Sequence, residues 1–264
     1  MKYLFIGSGK MGTALASALV RSGMAAAEDV RAVDPNEAAR AAFTARTGIA
    51  CVADAADVLP GTDVLVLAVK PQVAQAVVAA LPKIGPETLV ISICAGIPLA
   101  KLTAWFGSGR IIRVMPNTPL MVGKGASAFA LGPSAGEEDA RLARELLSKS
   151  GLAVQVEESQ LDAVTGLSGS GPAYVFELAK ALSLAGEAAG LAPELSLSLT
   201  LQTIAGAAEM LISGQGSPDE LRDAVTSPNG TTYAGLQVMA GRGFRDMMRD
   251  TVIAATKRST ELGK

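Results

Sequence analysis

The chain has 264 residues, 49% of them apolar, and a formal net charge of −2. That is enough for one large domain or two modest ones around a sizeable core, and the near-neutral balance argues against nucleic acid as a partner. Histidine is absent, which excludes histidine triads, histidine zinc sites and the most common general base; no metal site is expected.

Tyr3 to Ile6 is a short apolar run that meets Gly7-Ser8-Gly9-Lys10-Met11-Gly12, a G-x-G-x-x-G turn, and an alanine-rich helical pattern follows from Thr13 to Arg21. Strand, glycine turn and helix start in that order form the context in which such a turn holds a dinucleotide pyrophosphate. Gly7 allows the tight turn, Gly9 lets backbone approach the phosphates, and Gly12 lets the helix pack on the strand. A second apolar run, Val30 to Val33, ends in Asp34. This acid follows the last glycine at roughly the twenty-residue spacing of a carboxylate that holds the adenosine ribose.

A helix is predicted over Glu37 to Thr47 and a short strand over Ile49 to Val52. Asp63 to Val69 is a continuous apolar run, as in a parallel strand buried on both faces, and Lys70-Pro71 ends it. A helix follows from Gln72 to Leu81. Strands are expected over Thr88 to Cys94, stopped by Ala95-Gly96, and over Arg110 to Met115, stopped by Pro116-Asn117-Thr118-Pro119. Ala126 to Leu131 and Leu152 to Val156 read as further strands, with a charged helix from Glu137 to Ser150 between them. Alternating strands and helices mean a doubly wound, mostly parallel sheet with its ligand at the carboxyl ends of the strands.

After about Glu157 the strand runs stop. Helical spacing dominates, with long apolar segments over Ala173 to Leu191, Pro193 to Ser213 and Phe244 to Thr260. The expected organisation is therefore a dinucleotide-binding Rossmann domain over residues 1–157 and an all-helical domain over 158–264. The helices carry apolar residues on more than one face, which predicts at least a homodimer through this half. Leu195 to Ala208 is interrupted by Ser196, Ser198, Thr200, Gln202 and Thr203, so no stretch reads as long and oily enough to span a bilayer. Two cysteines, Cys51 and Cys94, and a strand pattern that leaves no room for a signal peptide point to the cytoplasm.

Two segments of the second half stand out. Ser168-Gly169-Ser170-Gly171-Pro172 reads by itself as a kink made by glycines and a proline. Ser227-Pro228-Asn229-Gly230 is a strong turn sequence, and Thr231 and Thr232 open a helix. Hydroxyls and free N–H groups at a helix start make a small anion site; an ordinary capped loop explains the same residue types equally well.

These segments, together with the glycine turn, Ala68-Val69-Lys70-Pro71, Ala95-Gly96 and Met115-Pro116-Asn117-Thr118-Pro119, make the chain resemble pyrroline-5-carboxylate reductases nearly end to end. The resemblance implies NADPH- or NADH-dependent reduction of 1-pyrroline-5-carboxylate to L-proline, the last step of proline synthesis. It also implies helical domains that interlock into dimers, and dimers that assemble into decamers. The implied cofactor residues are Gly7, Ser8, Gly9, Lys10, Met11, Gly12, Asp34, Ala68, Val69, Lys70, Pro71, Cys94, Ala95, Gly96 and Asn117. The implied substrate residues are Ser227, Gly230, Thr231 and Thr232, with the Thr232 hydroxyl at the ring nitrogen. Thr232 and Lys70 are the catalytic candidates, although Lys70 reads equally well as a lysine capping a strand end. Asn229 stands where relatives often have glycine, and asparagine best shares glycine's positive-φ region. Asp34 stands where relatives favouring NADPH often have a small or neutral residue, so it favours NADH, with Pro35 beside it and Arg40 nearby as opposing influences.

The chemistry suits the composition. The electrophile is an iminium that already carries its proton, so no strong base is needed. Three other readings compete. A hydroxy-acid dehydrogenase needs a catalytic lysine or acid on the first helix of the second domain, where Lys180 lies more than two turns past Gly171. A sensor without turnover would keep the glycine turn and lose the Ser227 to Thr232 loop. Cys94 as a nucleophile has nothing nearby in sequence to lower its pKa.

Overall fold

The apolar runs of the first half become the strands of one sheet. In the computed structural model, which describes residues 1–263, these are β1 (Tyr3–Ile6), β2 (Val30–Val33), β3 (Ala50–Val52), β4 (Val64–Leu67), β5 (Leu89–Ser92), β6 (Ile111–Met115), β7 (Gly125–Leu131) and β8 (Gly151–Gln155). Their order is β3-β2-β1-β4-β5-β6-β7-β8. The first six follow the doubly wound dinucleotide-binding order, with the switch point between β1 and β4. All neighbours are parallel except β6 and β7, which pair antiparallel with Met115 opposite Ala128.

Both faces of the sheet are covered, and this explains the unbroken apolar runs. Tyr3, Phe5, Val64, Val66, Leu89 and Ile91 face one core. Leu4, Ile6, Leu65, Leu67 and Val90 face the other. The covering helices are α1 (Lys10–Arg21), α2 (Glu37–Thr47), α3 (Pro71–Ala80), α4 (Leu99–Phe106) and α5 (Glu137–Ser148). Helix α1 starts at Lys10, inside the glycine turn, three residues before the expected Thr13. Helix α4 falls where no element was expected: its eight residues are too few to display a clear period.

The remaining helices are α6 (Leu161–Val164), α7 (Gly171–Ala188), α8 (Pro193–Ile212), α9 (Pro218–Ala224), α10 (Thr231–Gly241) and α11 (Phe244–Gly263). The chain divides into two compact units, Met1–Ser170 with the chain from Ala254 onward, and Gly171–Ile253. The expected domain boundary at 157/158 lies upstream of that division, and the end of α11 returns to the first unit.

Within the second unit the helices α7 and α8 are inside-out. Helix α8 buries Ser196 and Thr200 while Leu195, Leu197, Leu199 and Leu201 are about half exposed. The Ser196 hydroxyl donates to the Ser183 carbonyl at 2.7 Å. Leucines exposed on two sides of one helix mark an interaction surface. Helix α8 is also, by length and composition alone, apolar enough to cross a membrane, which corrects the expectation that no such stretch exists. The five polar residues that interrupt it are diluted by the leucines, isoleucines and methionine along the twenty-residue helix.

Candidate active site

The glycine turn after β1 is shaped by contact with the end of β4. Gly7 has φ +101°, and a Cβ on it would lie 2.7 Å from the Ala68 carbonyl oxygen and 2.9 Å from Val69 Cγ1. Conformation and space both require glycine. A Cβ on Gly12 would lie 2.8 Å from the Gly7 carbonyl oxygen, so α1 packs on the strand ends as the spacing implied. Gly9 differs: its φ is −67° and no atom lies within 4 Å of an added Cβ. It is the N-cap of α1, and no side chain caps that helix. The first-turn N–H groups of Lys10, Met11 and Gly12, with the positive end of the helix dipole, thus border open space. This cradle fits a pyrophosphate.

Asp34 ends β2 and turns toward the glycine turn. Its Oδ2 accepts from the Ser8 N–H at 3.0 Å and the Ser8 hydroxyl at 2.9 Å, and its Oδ1 accepts from the Asn36 N–H at 3.0 Å. Burial alone would raise its pKa, but these hydrogen bonds and the nearby Arg40 charge outweigh burial and hold it below the ordinary carboxylate value. Pro35 therefore does not turn the side chain away. Arg40 donates to the main-chain carbonyls of Asp34 and Pro35 at 3.0 and 2.9 Å.

At the end of β4, Ala68 and Val69 are half-buried and Lys70 is exposed. Lys70 is the backbone N-cap of α3, with Pro71 in the first turn. Cys94, beyond β5, is buried, and its thiol donates to the Val69 carbonyl at 3.3 Å. Burial pushes that thiol up, only partly offset by its hydrogen bonds to Ser92 and Val69. A thiol so placed ties two strand ends together and is no nucleophile.

Ala95 and Gly96 follow, beside a cavity of about 570 Å³ that Pro71, Gln72, Trp105, Thr165, Ser170 and Arg258 also line. The end of α11 closes over it. Lys101 Nζ donates to the Gly263 carbonyl at 3.0 Å, and the Asp162 carboxylate accepts from the Ser259 and Thr260 hydroxyls at 2.7 and 2.9 Å. Sequence reasoning missed Gln72, Trp105, Thr165 and Arg258. Gln72 was within reach, since it opens the helix after a strand end. The others come from segments that only the fold brings together. Asn117, placed among the cofactor residues by the resemblance, is buried with both ends of its amide engaged inside the protein, which leaves the side chain no free group for a cofactor: Oδ1 accepts from the Ala126 N–H at 2.8 Å and Nδ2 donates to the Ser168 carbonyl at 3.1 Å.

In the second unit, the Gly230 N–H closes the Ser227–Gly230 turn on the Ser227 carbonyl at 3.0 Å. Asn229, at φ +57°, is the one positive-φ residue other than glycine among the described residues, in keeping with its identity. Helix α10 starts at Thr231 with Gly230 as N-cap and has no side-chain cap. Helix α9, next to it in sequence, is fully capped by Ser217 and Glu220. Helix α10 thus starts without a side-chain cap, as α1, α3 and α8 also do, with Thr231 and Thr232 in its first turn. Lys180 is exposed on α7.

Comparison with known proteins bears on the family and the fold. Residues 158–262 match the family described as pyrroline-5-carboxylate reductase dimerisation, and residues 2–96 match NADP oxidoreductase, coenzyme F420-dependent. A pyrroline-5-carboxylate reductase of Glycine max is 46% identical, covering 98% of this chain and 94% of its own. The structure of a pyrroline-5-carboxylate reductase from Coxiella burnetii superposes with a TM-score of 0.90 at 32% identity, covering 100% and 98% of the two chains. The NADP-bound pyrroline carboxylate reductase of Plasmodium falciparum gives 0.89 at 31% identity, also covering 100% and 98%.

Proposed function

The chain belongs to the pyrroline-5-carboxylate reductase family, and from that premise we propose how its residues divide the work of reducing 1-pyrroline-5-carboxylate to L-proline. The activity itself is that of a nicotinamide-dependent oxidoreductase in the last step of proline synthesis, and the enzyme is a homo-oligomer. The observation that carries the assignment is the uncapped start of α1 with open space at Gly9.

Gly7 to Gly12 hold the pyrophosphate through main-chain N–H groups, and Asp34 accepts from the adenosine ribose. Ala68, Val69, Lys70, Pro71, Cys94, Ala95 and Gly96 line the nicotinamide side. When bound, the reduced nicotinamide supplies the hydride. The uncapped N–H groups of α10, with Ser227, Gly230 and Thr231, hold the substrate carboxylate. The Thr232 hydroxyl accepts a hydrogen bond from the iminium N–H and so sets the orientation of the ring. Lys70 orients cofactor or substrate from the strand end. No residue removes a proton from the substrate, since the iminium arrives protonated. Rate comes from placement.

NADH is the preferred reductant in this reading, because the ionised Asp34 repels a 2′-phosphate. The inside-out α8 supports a dimer, the family resemblance extends it to a decamer built of dimers, and the two cysteines, Cys51 and Cys94, support a cytoplasmic location. The chain's charge of −2 and the partner-covered helices support an enzyme that engages neither nucleic acid nor membrane. The test is optical: oxidation of NADH with 1-pyrroline-5-carboxylate present, repeated with NADPH, with proline measured as product. A folded, dinucleotide-binding protein that turns over neither would overturn the reading in favour of a hydroxy-acid dehydrogenase or a sensor.

A further inference from the structure

Residues Thr165–Gly169 form a single π-turn, closed by the Ser170 N–H donating to the Thr165 carbonyl at 2.9 Å. In an α-helix the Ser168 carbonyl would accept from residue 172. That residue is Pro172, which has no N–H and whose ring would collide with the same carbonyl. The orphaned oxygen is taken instead by Asn117 Nδ2, at 3.1 Å. The other end of this buried amide accepts from the Ala126 N–H at the start of β7, at 2.8 Å. One carboxamide thus ties the corner between β6 and β7 to the π-turn. From the strand side, Gly169 packs so closely on Met115 that an added Cβ would overlap the methionine Cε. Thr165 and Ser170, at the two ends of the turn, line the same cavity as Pro71, Ala95 and Gly96.

We propose that Asn117 is a positioning residue for the reduction: its amide holds the π-turn in register and so fixes the Thr165 and Ser170 wall of the cavity beside the nicotinamide-lining strand ends. This rests on the cofactor reading above. Released, the Ser168 carbonyl loses its donor while Pro172 still bars an α-helical path, so the turn loses its fixed register, and one residue of register rotates the helix beyond the turn by about 100° and shifts it about 1.5 Å. A misplacement of about 1 Å costs on the order of a hundredfold in rate.

The test uses the full chain. Asn117→Asp keeps the acceptor for Ala126 and removes the donor for Ser168. Measured well below its unfolding midpoint, its kcat should fall about 10- to 100-fold while the Kd for NADH stays within about twofold of wild type. Asn117→Ser draws the side chain out of reach of the Ser168 carbonyl without adding a charge and should also lower kcat. An Asn117→Asp enzyme with wild-type kcat per folded molecule, or one that loses catalysis and NADH affinity equally, would overturn the proposal. If Asn117→Asp does not fold, Asn117→Ser decides: an undiminished kcat per folded molecule overturns the proposal. Wild-type protein that does not reduce 1-pyrroline-5-carboxylate would strike at the cofactor reading itself, and that result precedes any variant.

Discussion

Replacing Gly9 by alanine separates binding from folding. At φ −67° and with no atom within 4 Å of the new methyl, alanine fits the native backbone. Two small terms oppose each other. Narrowing the unfolded ensemble favours the folded variant by about 0.4–1 kcal/mol, and alanine is a poorer N-cap than glycine by about 0.5–1 kcal/mol. They nearly cancel, so the unfolding midpoint should stay within about 2 °C of wild type. The methyl nevertheless occupies the space the pyrophosphate needs. Losing one charge-assisted hydrogen bond of about 1.5–3 kcal/mol predicts an NADH Kd about 10- to 150-fold weaker. Gly7→Ala is the contrast. Its φ of +101° and the 2.7 Å approach to the Ala68 carbonyl cost at least about 3 kcal/mol, so stability and binding fall together. Circular dichroism melts and NADH fluorescence titrations read both quantities. A Gly9→Ala protein that binds NADH within about threefold of wild type, or that unfolds like Gly7→Ala, would refute the placement of the pyrophosphate.

Asp34→Ser should raise the NADPH-to-NADH ratio of kcat/KM by at least about tenfold, or about 1.4 kcal/mol of relieved repulsion; an unmoved ratio means that Asp34 does not touch the ribose. Thr232→Ala removes one hydrogen bond, so kcat/KM for 1-pyrroline-5-carboxylate should fall about tenfold with the NADH Kd unchanged, and Thr232→Ser should recover most of it. Equal loss of NADH binding would unseat Thr232 from the substrate. The pKa of Asp34 is lower folded than its ordinary 3.8, so its ionised form stabilises the fold above that pH, and the contribution is lost as pH falls through the lower folded value. Urea titrations of wild type and Asp34→Asn should therefore show a stability gap at neutral pH that closes below about pH 4; a constant gap would show that charge on Asp34 contributes nothing.

Much of the fold was legible because local rules were obeyed. Strands buried on both faces leave unbroken apolar runs, and all eight were readable within a residue or two. The dinucleotide turn was readable because only glycine satisfies the conformation of Gly7 and the close approach of Gly12. Asn229 was readable because few other side chains accept φ +57°. What escaped depends on partners distant in sequence. The antiparallel pairing of β7 is set by its neighbour β6 and leaves no period of its own. The bond between Ser8 and Asp34 spans 26 residues, and it decides that the acid faces the glycine turn. The Ser168 to Pro172 segment reads as a kink, and only the tertiary structure turns it into a π-turn, because the amide that replaces the missing proline N–H comes from Asn117, 51 residues upstream. Helix α8 shows the same division. Its leucines are plain in the sequence, but which residues of the helix are buried depends on α7, which takes the Ser196 hydroxyl at Ser183. Composition and spacing determine what each segment prefers; the fold decides which distant donor meets which orphaned acceptor, since a buried polar group must find its partner wherever the chain brings one.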